Sequence, residues 1–150
     1  MKVHAQLALT PAQEQAFEWL LGAIPREDVL VLRGRSGAGK TTVLERVRAE
    51  KGGTLVSLSD ASHGFRASEE SLLHTIERAV QEFDLIIVDD LHVIAKTAGG
   101  RNQSRMYLFD AALTAILAEA SAARKKLVFG TEGEAPWPIQ RRACLTEITA

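Results

Sequence analysis

The run Gly34-Arg35-Ser36-Gly37-Ala38-Gly39-Lys40-Thr41 fits the pattern G-x-x-x-x-G-K-[ST], and its residue types suit the holding of phosphate. Glycines let the backbone wrap closely, so that successive N–H groups and the start of the following helix face an anion. Lys40 would supply a point charge to the β- and γ-phosphates of a nucleotide. The Thr41 hydroxyl is the expected Mg²⁺ ligand, and Thr42 adds a contact nearer the α-phosphate. A glycine loop that merely turned the chain would need no lysine at that point.

A second group follows in "DLIIVDD", where the apolar residues Leu85 to Val88 run into Asp89 and Asp90. Open α/β sheets bind ligands at the C-terminal ends of their strands, which is where this pair falls. Asp89 is expected to hold Mg²⁺ through water, and Asp90 to orient or deprotonate an attacking water. The bland alternative is a surface pair that caps the next segment. Two acids in a chain that already carries the glycine loop argue against it.

These residues need strands and helices to hold them. Thr10-Pro11 starts a helix, with a capping hydroxyl and a proline in the first turn, and Gly22 and Pro25 end it. "DVLVLRG" is continuously apolar, as a strand buried on both faces should be, and it leads straight into the glycine loop and a helix from Lys40 to Glu50. "TLVSLS" reads as a second strand. A helix follows with Ser68 and Ser71 at its start and Leu72, Leu73, Ile76, Ala79, Val80 and Phe83 at helical spacing. After the "DLIIVDD" strand come a loop, "AKTAGGRNQ", and an alanine-rich helix from Met106 to Arg124 with Leu108, Ala112, Ile116 and Ala120 on one side. "KLVFGTE" is a fourth strand, "GEAPWPIQRR" an irregular connection and "CLTEIT" a fifth strand. The alternation implies an α/β fold with a doubly wound parallel sheet and right-handed crossovers.

Composition narrows the classes of function. At 150 residues and 46% hydrophobic content the chain suits one domain with one core. With 18 basic and 19 acidic residues, a net charge of -1 gives no reason to expect whole-surface binding to nucleic acid or an anionic membrane. The single cysteine, Cys144, excludes an internal disulfide and reads as a small core residue in a reducing compartment. No stretch reaches the ~18 apolar residues of a membrane span, so the expectation is a cytoplasmic protein without membrane insertion. His4, His63, His74 and His92 lack metal-ligand spacing, and His92 reads as a solvent-facing loop residue near Asp90.

"GRSGAGKT", "LIIVDD", the polar strand end at Thr131 and Arg141-Arg142 before the last strand together resemble the AAA+ ATPases, over nearly the whole chain from Ala8 to Thr149. The two motifs are the Walker A and Walker B of that family. The resemblance implies a five-stranded P-loop NTPase sheet of order 5-1-4-3-2, ATP and Mg²⁺ as ligands, and hydrolysis of ATP. It also implies that Thr131 is the sensor 1 residue that positions water, with Glu132 an adjacent competitor. Arg141 or Arg142 would be an arginine finger that reaches the nucleotide of a neighbouring subunit, which implies a homo-oligomer, either ring or spiral. Arg101 and Arg105 resemble positions facing the next subunit, and Phe65 falls where many unfoldases place a pore-loop aromatic, although packing is the plainer role for it.

Departures from the family pattern leave other readings open. Asp90 stands where most hydrolysing members have Glu, although the Asp-Asp pair is also the pattern of bacterial replication initiators and helicase loaders. The chain ends just after the fifth strand, which implies a single α/β core without the helical lid. A nucleotide-binding regulatory switch with little turnover is therefore one alternative, and a small P-loop kinase another. Within the ATPase reading, a protein client competes with a DNA-associated complex as the partner.

Overall fold

The computed structural model describes residues 8–62, 69–93 and 103–149. Five strands, β1 (Val29–Arg33), β2 (Thr54–Ser57), β3 (Leu85–Asp89), β4 (Lys126–Thr131) and β5 (Cys144–Glu147), form one sheet in the order β2-β3-β4-β1-β5. All four pairings are parallel. This is the expected order 5-1-4-3-2, with β4 inserted between the strands that carry the two motifs.

The central strands are buried on both faces because helices cover each side. Helices α1 (Pro11–Ala23) and α2 (Lys40–Lys51) pack on one face, against Leu30, Leu32, Leu85, Ile87 and Val128. On the other face α3 (Leu58–Ser62), α4 (Glu69–Glu82), α5 (Gln103–Ala122) and α6 (Trp137–Gln140) meet Val29, Val31, Ile86, Val88, Leu127 and Phe129. Adjacent residues of each strand thus feed opposite cores, which explains the unbroken apolar runs in the sequence.

Several local features differ from the sequence expectation. The second strand stops at Ser57, whose Oγ accepts from the Asp60 N–H at 3.3 Å and so starts α3, burying Leu58 in the core. Part of the supposedly irregular connection is helical. Pro138 sits in the first turn of α6, where its missing N–H costs nothing, and Ile139 anchors the turn in the core. The inward face of α5 is formed by Phe109, Leu113, Ile116, Leu117 and Ala120, whereas Leu108 is 72% exposed and Ala112 is also exposed. The expected stripe thus holds at Ile116 and Ala120 and is off by one residue at Leu108 and Ala112, because most positions of an alanine-rich helix look apolar. Cys144 is half-buried on the edge strand β5 rather than central, and burial, then the Glu27 carboxylate, raise its thiol pKa. Phe65, Ser68 and Arg101 lie outside the described residues, as does the side chain of Arg105.

Candidate nucleotide site

The loop between β1 and α2 is held at both ends. The Gly34 N–H donates to the Thr131 carbonyl at 3.1 Å, tying the loop entry to the end of β4, and the Ala38 N–H donates back to Arg35 O at 3.0 Å. Gly39 ends the loop with a φ of 89°, a left-handed conformation natural to glycine, and α2 begins at the next residue. Arg35, Ser36 and Gly37 are exposed, and Ala38 is half-buried. Lys40 is 7% exposed, and its Nζ donates to Gly34 O at 2.7 Å and Arg35 O at 3.1 Å. The ammonium therefore lies across the mouth of the loop. Thr42, in the first turn of α2, is half-buried.

The carboxylate-ended strand meets this loop at a single short contact. Thr41 Oγ1 donates to Asp89 Oδ2 at 2.6 Å, although 48 residues separate the two in sequence. Asp89 is 2% exposed, and its other oxygen, Oδ1, accepts from the Asp90 N–H at 2.8 Å. Both oxygens are thus engaged, which sets the orientation of the carboxylate. Room for it comes from a residue with no motif of its own in the sequence. A Cβ at Gly130 on β4 would come within 2.8 Å of both Asp89 Oδ1 and Leu44 Cδ1, so this strand glycine is required by the close approach of the carboxylate.

Asp90 has a φ of 60°, a left-handed conformation rare for a residue with a side chain. Such strain persists only where surroundings over-determine it. Here Leu91 N–H donates to Gly130 O, Val93 N–H donates to Asp90 O, and Ser57 Oγ lies 3.4 Å from Asp90 Oδ2. Ser57 also went unnoticed in the sequence; a polar residue ending a strand beside the Asp-Asp strand is the signal that could have found it. Thr131 is 1% exposed, and its Oγ1 has no hydrogen-bond partner among the described residues. The same is true of His92 Nδ1, while His92 Nε2 lies 3.9 Å from Glu132 Oε1. With 19% of its side chain exposed, His92 turns inward against the end of β4 and is not the solvent-facing residue expected. Two polar atoms left without partners at the C-terminal ends of β3 and β4 fit a place where a polar ligand or water completes the set.

Arg141 and Arg142 are not brought to this cluster. Both are exposed, and neither forms an ion pair among the described residues; Arg141 stacks over Trp137, 5.8 Å from the ring centroid. They precede Cys144, which pairs with Leu30, whereas the glycine loop begins beyond Arg33 at the opposite end of that strand pair. Any contact of theirs with phosphate would have to be in another copy of the chain.

A parallel five-stranded sheet with a glycine loop at the end of β1 and an engaged carboxylate at the end of β3 defines a P-loop NTPase fold. Residues 30–142 match the model of the ATPase family associated with various cellular activities (AAA), and the chain belongs to that family. Among curated proteins none matches significantly in sequence. Solved structures share the fold at low identity. Domain III of the Thermotoga maritima replication initiation protein DnaA superposes with a TM-score of 0.62 at 16% identity, covering 97% of this chain and 65% of that one. A DNA replication initiation factor gives a TM-score of 0.60 at 12% identity, covering 95% and 47%. A replication initiator DnaA bound to AMPPCP and single-stranded DNA gives 0.59 at 14%, covering 97% and 49%. The chain therefore spans between about half and two thirds of the length of these neighbours. Among the described residues no helix is long and apolar enough to cross a membrane.

Proposed function

We propose that this chain is a single AAA+ core that binds ATP with Mg²⁺ and hydrolyses it to ADP and phosphate, in the cytoplasm and within a homo-oligomer. The observation that carries the reading is the 2.6 Å contact between Thr41 and Asp89, which joins the glycine loop to the carboxylate strand. The donor set suits a hard cation: one hydroxyl and one carboxylate, both oxygen. Among the described residues no group of three or more His, Cys, Asp or Glu could hold a metal. That fits an ion shared with substrate phosphates better than one caged by protein alone. When bound there, Mg²⁺ would offset charge on the phosphate oxygens.

The chain's own residues supply the rest. The loop amides between Gly34 and Thr42 that are not already bonded to Thr131 O or Arg35 O would surround the phosphates, and Lys40 would leave Gly34 O and Arg35 O to pair with them. Asp90 would accept a proton from the attacking water, with the unpartnered Thr131 Oγ1 fixing that water's position. Arg141 or Arg142 would stabilise the charge of the transferring phosphoryl in a neighbouring copy. Turnover would act on a protein client or a DNA-associated complex; likeness of fold to a replication initiator bound to AMPPCP and single-stranded DNA supports looking at the latter first.

Calorimetric titration with ATP and a non-hydrolysable analogue, together with phosphate release, tests this. Lys40→Ala should abolish measurable affinity, and Asp90→Asn should bind as wild type while releasing no phosphate. Unchanged affinity in Lys40→Ala overturns the phosphate assignment. A wild type that binds but never hydrolyses, even when assembled, supports the switch reading, which the short, strained Asp90 favours.

A further inference from the structure

One residue of the first helix belongs to the phosphate loop as much as to its own element. Gln13 lies 25 residues before Ala38, yet its Nε2 donates to the Ala38 carbonyl at 2.9 Å. Its Oε1 accepts from the Thr10 N–H at 3.1 Å, and its own N–H donates to Thr10 Oγ1 at 3.2 Å, which closes the capping box of α1. The side chain thus splits its amide between two tasks, the oxygen for the helix start and the nitrogen for the loop. The fit is close on the loop side as well. A Cβ on Gly39 would collide with the Gln13 amide nitrogen and meet Gln13 Cδ at 3.0 Å.

We propose that Gln13 is a positioning residue for the phosphate loop, and that it couples the first turn of α1 to nucleotide binding. The inference rests on the nucleotide-binding reading above. A trans peptide is planar, with its C=O and N–H pointing in opposite directions. Holding Ala38 O toward α1 therefore turns the Gly39 N–H away from α1, fixing one of the loop donors before any anion arrives. Pre-orienting a donor saves the ordering cost that a free loop would meet on binding. The coupling runs both ways, so a nucleotide that holds the loop also holds the turn of α1 that Gln13 closes.

Three variants separate this role from helix capping. Thr10→Ala breaks the cap but leaves the Gln13–Ala38 bond available. Gln13→Glu keeps an oxygen for the Thr10 N–H but replaces the donor to Ala38 O with a carboxylate oxygen. Gln13→Ala removes both. With the non-hydrolysable analogue and Mg²⁺, Thr10→Ala should bind within about twofold of wild type, and Gln13→Ala about three- to tenfold more weakly, the loss expected for one neutral hydrogen bond. Gln13→Glu should be weaker still, with its α1 cap intact. Hydrogen exchange gives a second readout: the analogue should slow exchange of the Gln13 and Glu14 amides in wild type but not in Gln13→Glu. Equal weakening by Thr10→Ala and Gln13→Ala, or wild-type affinity and protection in Gln13→Glu, overturns the proposal. Failure of wild type itself to bind overturns the nucleotide reading instead, so the two failures are distinguishable.

Discussion

At the scale of single residues, the candidate site is a matter of which side chains are held and which are left with capacity to spare. Asp89 is held twice, by Thr41 and by the backbone of Asp90, and the absence of a side chain at Gly130 leaves space for it. Gly130→Ala should therefore displace Asp89 or Leu44, lowering stability by about 1–3 kcal/mol. Urea denaturation would measure the loss, and analogue titration should show weakened binding in the same variant. Cys144 tests a different property. Its raised pKa means less thiolate at a given pH, and thiolate is the species that reacts. Alkylation of the folded protein should accelerate only at pH values above those that suffice for the urea-unfolded chain, as followed by mass spectrometry.

At the scale of elements, the strands were easier to read than the helix faces. A strand buried on both sides announces itself by a continuous apolar run, and β1, β3 and β4 all do so. Alanine-rich α5 carries little such contrast, and only packing against the sheet decides which side turns inward. The structure separates the two choices of face sharply. Leu113→Ala should cost about 2–5 kcal/mol, whereas Leu108→Ala should change stability by no more than ~0.5 kcal/mol. Comparable denaturation midpoints for the two would refute the observed orientation. The short α3 and α6 escaped notice because each rests on one cap or proline and one buried anchor, too little for a periodic signal.

At the scale of the whole molecule, the sheet order brings the strands that end in the glycine loop and in the Asp-Asp pair to either side of β4, and so sets Thr131 between the two. The same topology leaves Arg141 and Arg142 at the far end of β5, out of reach of their own loop. If they act across an interface, mixing Arg141→Ala/Arg142→Ala chains with Asp90→Asn chains should restore part of the ATPase activity that neither has alone. A mixture that remains inactive, in an assembly confirmed by light scattering, argues against a finger in trans.

The sequence by itself determined the class of fold, through the alternation of apolar runs and amphipathic stretches, and it marked the glycine loop and the carboxylate pair, because those chemistries depend on residues adjacent in the chain. Tertiary structure decided the relations between distant residues. The Thr41–Asp89 contact, the clearance at Gly130, the inward turn of His92 and the hold of Gln13 on Ala38 all join separate elements. None leaves a local pattern, since each depends on which strands become neighbours and on how closely their ends approach.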